Sequence, residues 1–469
     1  MFATQKLFNN AYKNTMNNNT QSQYDLVIIG GGVSGAAQYF TVSKYTDIKR
    51  VLLVEKESAP GMINSAATNN SQTLHEGDIE TNYTLEKARS TKYKSSFTRR
   101  YLESHTDLHG TLYLKGPKMV FGVGAKEVTE LRKRFQEFKD LFPTLRAMER
   151  SELATVEPKM IAGRQEKNVL GLYNEDGLTV NYGALAGQLI VEANERWSQE
   201  QSRSGEVRFG EAVSDVVDNG DGYTLKIGDQ TVRTRFLSVC AGAHSMYFAK
   251  VLNVPAVAQS SLLLIAGNFY YTPKFLNTKV YTLQDPSLPF SAVHADPDIL
   301  HQADKNRYGP TTRIVMTLER GRFHTVTEYL ITIVPVVDSL LAYVRILANG
   351  KFLLYAVKHN LIFTIPFLGN YLFMRTARKI VPTMRYRDIT LARRQGGVRP
   401  QIVKSDQTQP LNMGEAKFTA QNAFFNVTPS PGASTALYNG LVDVRSIAKK
   451  IKARFDDQAV KQDFGTPLV

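Results

Sequence analysis

The chain has 469 residues, 43% of them hydrophobic and 21% charged, enough for a large core and two intimately joined domains. A net charge of +14 and a pI of about 9.5 point to an anionic partner: nucleic acid, an anionic membrane surface or an acidic small substrate. A single cysteine, Cys240, excludes an intramolecular disulfide, a Cys-rich metal site and a Cys–Cys redox pair, and suits a reducing compartment.

Residues 1–23 hold Lys6 and Lys13, no acid, and many Asn, Gln and Thr, with Phe2, Leu7 and Phe8 able to line one side of a short helix. A mitochondrial transit segment and a disordered polar tail both fit this stretch. The next element is the most informative. An apolar run, Leu26 to Ile29, ends in Gly30, Gly31 and Gly32, and Gly35 then opens an apolar helical segment. This is the strand–turn–helix of a dinucleotide site: Gly30 permits the turn, Gly32 lets a pyrophosphate approach, and Gly35 allows helix to pack on sheet. A second apolar strand, Arg50 to Val54, ends in Glu55, twenty residues after Gly35, where a carboxylate can accept ribose hydroxyls.

Pro60 to Thr84 is polar and too irregular for a regular element, and residues 125–142 form an amphipathic charged helix with its period in Leu131, Phe135 and Phe138. Gly122 to Gly124 mimics a nucleotide turn without a βαβ unit behind it. From Ala212 the pattern alternates, with turns at Asn219-Gly220 and Asp221-Gly222 and a return to an apolar strand ending Ala241-Gly242-Ala243. Cys240 in that strand reads as a small core residue. Such a hairpin is typical of FAD domains and favours FAD over NAD. With no second convincing glycine fingerprint, electrons leave to something other than nicotinamide. Residues 331–387 are strongly apolar and carry Arg345, Lys351, Lys358, Arg375, Arg378, Lys379, Arg385 and Arg387 against Asp338 alone. The longest uncharged piece, His359 to Met374, is broken by Pro366 and Gly369 and is short for a spanning helix. Amphipathic helices lying on an anionic interface are expected, with a buried helical layer as the competing reading. Nucleic acid is disfavoured by the apolar content and the lack of a reader motif.

Three further segments carry a resemblance. Asn70 to Thr84, Gly396-Gly397-Val398-Arg399-Pro400-Gln401 and Thr428 to Ala436 resemble, in order, the flavin-contacting segment, the GxRPQ turn and the SPGAST helix start of the FAD-dependent malate:quinone oxidoreductases. Val156-Glu157-Pro158-Lys159 and Val180 to Leu185 also fit, and the closest likeness is to the family's shorter branch of epsilonproteobacterial and protist type. The resemblance implies a mixed α/β fold: a Rossmann-type FAD-binding domain of the glutathione-reductase/D-amino-acid-oxidase kind with an interleaved substrate domain. The expected FAD-binding parts are residues 24–115, 165–255 and 390–469. The substrate domain takes 116–164 and 256–389, with 331–387 facing a membrane. It further implies oxidation of (S)-malate to oxaloacetate, with electrons passed through FAD to ubiquinone or menaquinone at a membrane surface. That surface would be the mitochondrial inner membrane in a eukaryote, or the cytoplasmic face of a bacterial inner membrane.

Oxidising a 2-hydroxy acid needs a base for the hydroxyl proton and cations to hold the carboxylates. His294, oriented by Asp296, is the favoured base, with His75 as a flavin or substrate neighbour. Arg399 is the leading carboxylate clamp, since a planar fork suits bidentate binding, and Arg313 is the second candidate. The cofactor set is Gly30, Gly32, Val33, Ser34, Gly35, Glu55, Lys56, Ser71, Gln72, Thr73, Ala241, Gly242, Gly397, Pro431, Gly432, Ala433 and Ser434. No metal site is expected. Two positions depart from the commoner bacterial branch. Pro297 and Asp298 follow Asp296 where that branch carries an Arg, and Gln72-Thr73-Leu74-His75 stands for Gly-Thr-Gly-His. The segment from Asn70 is similar as well to L-2-hydroxyglutarate dehydrogenases. A related FAD enzyme acting on 2-hydroxyglutarate or lactate, and a non-catalytic flavoprotein of a membrane assembly, are the alternative readings.

Overall fold

The computed structural model describes residues 22–284, 292–301, 304–333, 350–361, 365–404, 411–412, 416–428 and 431–469. Strand Ser22–Ile29 lies inside an eight-stranded sheet, parallel to Arg50–Glu55 on one side and Gln230–Val239 on the other. Its near-continuous apolar run follows from burial on both faces. Leu26 and Ile28 point into a helical layer, and Val27 and Ile29 into the opposite core. The helical layer includes Val33–Tyr45, Leu85–Ser104, Tyr182–Ser198 and Ala436–Ile451. The last packs so close to the first that a Cβ on Gly440 would lie 3.0 Å from the Ala37 carbonyl carbon.

The opposite core is closed by the hairpin Val213–Asp218 and Tyr223–Ile227 and by helix His244–Val251. Its turn forms at the expected signals: Asn219 donates its amide to the Gly222 carbonyl at 2.9 Å, and Gly220 has φ +84°. Gln230–Val239 serves two partners. Its first half pairs antiparallel with the hairpin (Tyr223 opposite Thr234), and its end pairs in parallel with Ala423–Val427 (Leu237 opposite Ala423). Ala416–Ala420 closes this edge, and Ser204–Phe209 stands at the other.

A second eight-stranded sheet runs in the order Thr390–Ala392, Phe269–Pro273, Lys305–Gly309, His294–Pro297, Lys279–Thr282, Lys118–Val123, Val169–Asn174, Leu145–Met148. Val169–Asn174, which the expected segmentation assigned to the nucleotide-binding parts, hydrogen-bonds here along Lys118–Val123. A four-stranded sheet joins the two halves: Ser260–Ala266 pairs with Arg313–Val315 on one side and Val398–Lys404 on the other, and Leu411–Asn412 follows.

Within 331–387, residues 334–349 and 362–364 lie outside the described residues, as do residues 1–21 of the expected N-terminal tail. Helix Pro366–Ala377 buries Phe373, Met374 and Ala377 in a separate core against the second eight-stranded sheet, with Phe373 stacked on Tyr270 at 4.0 Å between ring centroids. Its other side is open: Phe367 is 80% exposed, and Leu354 on Gly350–Leu361 is 71% exposed. Among the described residues, helix Pro366–Ala377 is thus anchored on one side and exposes apolar side chains on the other. Among the described residues no helix is long and apolar enough to cross a membrane.

Candidate active site

A cavity of about 740 Å³ runs from the first glycine turn to the strand carrying Arg399, a size suited to a bound cofactor. At its near end Gly30 has φ +109°, and a Cβ there would lie 2.5 Å from the Cys240 carbonyl oxygen. A Cβ on Gly35 would come within 1.9 Å of the Gly30 carbonyl oxygen, so Gly35 is fixed by protein packing rather than by a ligand. Gly32 is different. Only the Ser65 hydroxyl, at 3.2 Å, stands near its Cβ position, and the rest is open cavity. The helix Val33–Tyr45 starts there without a side-chain cap from Gly32 itself; Ser65 Oγ accepts the Val33 amide at 3.0 Å instead. Glu55 stands beside the turn and accepts the amides of Gly31 at 2.6 Å and Glu57 at 2.8 Å. Burial pushes its carboxyl above the usual range despite those donors. An open glycine cradle, a helix start and a carboxylate are the donor set a dinucleotide requires, and the residues fit one.

At the far end, residues 64–75 are stitched to the Arg399 strand. Asn64 binds both polar backbone atoms of Val398, at 3.0 and 3.1 Å, and Gly397 donates its amide to the Asn69 carbonyl at 2.8 Å. Gln72 adopts φ +55° and is buried, its amide held by the Ala67 carbonyl at 2.9 Å and Asp298 Oδ1 at 2.6 Å. With Gln72 turned inward, Ser71 and Thr73 line the cavity on either side of it. Asp298, a departure from the commoner pattern, thereby serves as the Gln72 anchor. Ser434 accepts the His75 amide at 2.8 Å and shares a 3.0 Å hydrogen bond with Tyr182, which brings the start of helix Ala436–Ile451 against the same segment.

The two histidines occupy different layers. His75 lines the cavity; its Nδ1 meets Glu80 Oε1, and its Nε2 lies 3.1 Å from the Ser71 hydroxyl. Burial raises the Glu80 carboxyl, but the His75 contact outweighs it and holds the acid below its ordinary range. His294 is 2% exposed and does not line the cavity. Its Nδ1 lies 2.7 Å from Asp296, and its ring stacks on Tyr281 at 4.6 Å. Burial lowers its pKa despite the facing carboxylate. Beneath Ser71 and Thr73, buried Lys279 donates to the Ser71 carbonyl and Thr73 hydroxyl, both at 2.9 Å, with Asp296 at 3.5 Å. Burial pushes the Lys279 ammonium down to about 8.

Arg399 lines the cavity, and among the described residues no acid or side-chain acceptor meets its guanidinium. Burial lowers its pKa, opposed only by nearby Tyr281. An unpaired guanidinium facing a cavity is a ready carboxylate receptor.

Of the expected cofactor set, Gly30, Gly32, Val33, Ser34, Glu55, Lys56, Ser71, Thr73, Ala241, Gly242, Gly397, Pro431, Ala433 and Ser434 line one cavity with His75 and Arg399. Gly35, Gln72 and Gly432 stand behind its wall, as do Asp296 and His294. Arg313 lies on the edge strand opposite Ala266 and does not reach the cavity. Sequence reasoning missed Asn64, Ser65, Glu80, Lys279 and Tyr281. It missed Glu319 and Arg322 too, which line the cavity from a segment more than 250 residues beyond Glu55. Glu80 alone carried a signal, five residues after His75.

The family model described as malate:quinone oxidoreductase matches residues 22–464. The chain is 34% identical over 451 residues to a probable malate:quinone oxidoreductase of Campylobacter jejuni, covering 93% of this chain and 98% of that one. It is also 34% identical to a malate:quinone oxidoreductase of Helicobacter pylori, over 94% and 98% of the two chains. Among solved structures it resembles the FAD-bound L-alpha-glycerophosphate oxidase of Mycoplasma pneumoniae (TM-score 0.64, 14% identity, 93% and 96% covered). Glycine oxidase from Geobacillus kaustophilus is similar in fold (TM-score 0.61, 15% identity, 92% and 95% covered).

Proposed function

The chain belongs to the malate:quinone oxidoreductase family and is an enzyme of that activity, and from this premise we propose how its own residues carry the reaction. The cavity residues would hold FAD, which would supply a two-electron acceptor for the hydride of malate C2 and a relay to quinone. Arg399 grips a substrate carboxylate through its planar fork, which fixes C2 at the far end of the cavity. His75 takes the hydroxyl proton at Nε2, which among the described residues meets only the rotatable Ser71 hydroxyl. Glu80 at Nδ1 holds the ring and stabilises the imidazolium that results. His294 and Asp296 act one layer back, through Tyr281 and Lys279, as positioning residues. Gly30, Gly32, Glu55, Ser434 and their cavity neighbours hold the cofactor.

The observation that carries this reading is the Arg399 guanidinium, without an acidic partner among the described residues, in the same cavity as Glu80-bound His75. Anaerobic titration with malate, 2-hydroxyglutarate and lactate tests it. Malate should bleach the flavin at the lowest concentration, and ubiquinone or menaquinone should restore its colour. Bleaching by another 2-hydroxy acid but not malate would overturn the substrate assignment.

We further propose that the apolar face around Leu354 and Phe367, bordered by Arg375 and Arg378, rests on an anionic membrane surface where quinone is dissolved. Docking there brings the enzyme to its acceptor.

A further inference from the structure

Segment 317–328 comes from outside the nucleotide-binding sheet, yet Leu318, Glu319, Arg322 and Glu328 form a wall of the large cavity that also holds Glu55. Glu319 is buried and is the common partner of three basic side chains: Lys56 Nζ, Arg322 Nε at 3.2 Å and His244 Nδ1 at 3.5 Å. The network continues outward, from Arg322 to Glu57 at 2.5 Å and from His244 Nε2 to Glu328 at 3.0 Å. Lys56 and Glu57 directly follow Glu55, and His244 begins the helix after the Ala241-Gly242 turn. The segment is therefore fastened to both strand ends that flank the nucleotide turn.

Such pairs, shielded by burial at Glu319, are less screened than pairs on an open surface, and removing one partner leaves the other charges uncompensated. A dinucleotide whose ribose meets Glu55 would lie against this wall. We propose that residues 317–328 are a charge-fastened cover over the adenosine end of the cofactor, with Glu319 as the positioning residue that keeps it closed. Its role is retention of the cofactor, remote from the reacting atoms. The proposal rests on the FAD reading above.

The test is the rate at which FAD leaves the holoenzyme, followed by flavin fluorescence after dilution. Glu319→Gln should speed release about tenfold, the scale of one lost hydrogen bond to a charged partner. Wild-type release should quicken between about 0.05 and about 1 M salt, and the variant should respond less. Glu57→Gln, at the outer end of the network, should shift release in the same direction and serves if Glu319→Gln fails to fold. Release at the wild-type rate in both variants overturns the cover. So does faster release that merely tracks a lower melting temperature of the apoprotein. A wild-type protein that takes up no FAD overturns the cofactor reading itself, an outcome distinct from both.

Discussion

Tyr281 lies almost flat on His294, ring centroids 4.6 Å apart and planes 25° from parallel, and it also meets His75 edge-on at 6.3 Å. The tyrosine thus separates a histidine at the cavity wall from one in the interior. Its hydroxyl is tied to Thr73 at 2.6 Å, so the separation is fixed by the same segment that lines the cavity.

This layering predicts unequal effects. His75→Asn should lower the rate of malate-dependent flavin reduction by about 100-fold or more, the usual scale for a lost general base, while FAD stays bound. His294→Asn should cost less in rate and more in melting temperature. Stopped-flow reduction of the two variants decides between them; a larger rate loss at His294 would reassign the base.

Arg399→Gln should weaken malate binding by about 2 kcal/mol, roughly 30-fold in the dissociation constant, through loss of a charge-assisted pair. Arg399→Lys should recover only part of this, because an ammonium cannot match the fork. Equal malate affinity in wild type and Arg399→Gln, measured by flavin perturbation, would remove Arg399 from the substrate site.

Glycines that look alike in sequence should differ in consequence. Gly35→Ala drives a Cβ to 1.9 Å from a backbone oxygen and should prevent folding of the nucleotide domain. Gly32→Ala meets only the Ser65 hydroxyl at 3.2 Å, so the protein should fold and lose affinity for FAD. Melting curves of the two apoproteins, with FAD titration of the second, check both statements.

Lys279 sets a stability window at alkaline pH. Burial lowers its folded value from 10.5 to about 8, so between those values the unfolded chain binds more protons than the folded one. Stability contributed at this site therefore rises with pH from about 8 to 10.5, by roughly 3 kcal/mol in all, and is lowest below that window. In Lys279→Met that increment should vanish from the difference between variant and wild-type denaturation curves. A difference independent of pH across this window would be incompatible with a depressed lysine.

The membrane surface gives the fifth prediction. Leu354→Gln and Phe367→Ser should reduce sedimentation with anionic vesicles and lower activity with membrane quinone more than with a soluble acceptor. Unimpaired sedimentation of the double variant would rule out this face as the docking surface.

The glycine turn, Glu55 and the hairpin were legible because each is a local pattern whose backbone demands are met within a few residues. Arg399 was legible as a residue type by resemblance, and its place follows from register, opposite Ile265 in the four-stranded sheet. The depth of His294 was not legible: it depends on Tyr281, thirteen residues earlier on a neighbouring strand, turning its ring over the imidazole. The place of Arg313 was not legible for a similar reason, since its strand is the edge of that sheet, two strands from Val398–Lys404. The Lys56–Glu319 pair joins residues with no shared periodicity, and only the folded chain brings them together.

The order of the first sheet has a consequence for biosynthesis. Strand Gln230–Val239 is flanked by Ser22–Ile29, some two hundred residues earlier, and by Ala423–Val427, almost as far on, and Pro431, Ala433 and Ser434 complete the cavity wall. Contacts so distant in sequence form late and slowly. Without residues 423–434 the cavity wall is incomplete, so FAD uptake is expected only after they have been made. Ribosome-stalled chains ending before residue 416 should hold no FAD, and capture of FAD by such chains would show that loading begins earlier.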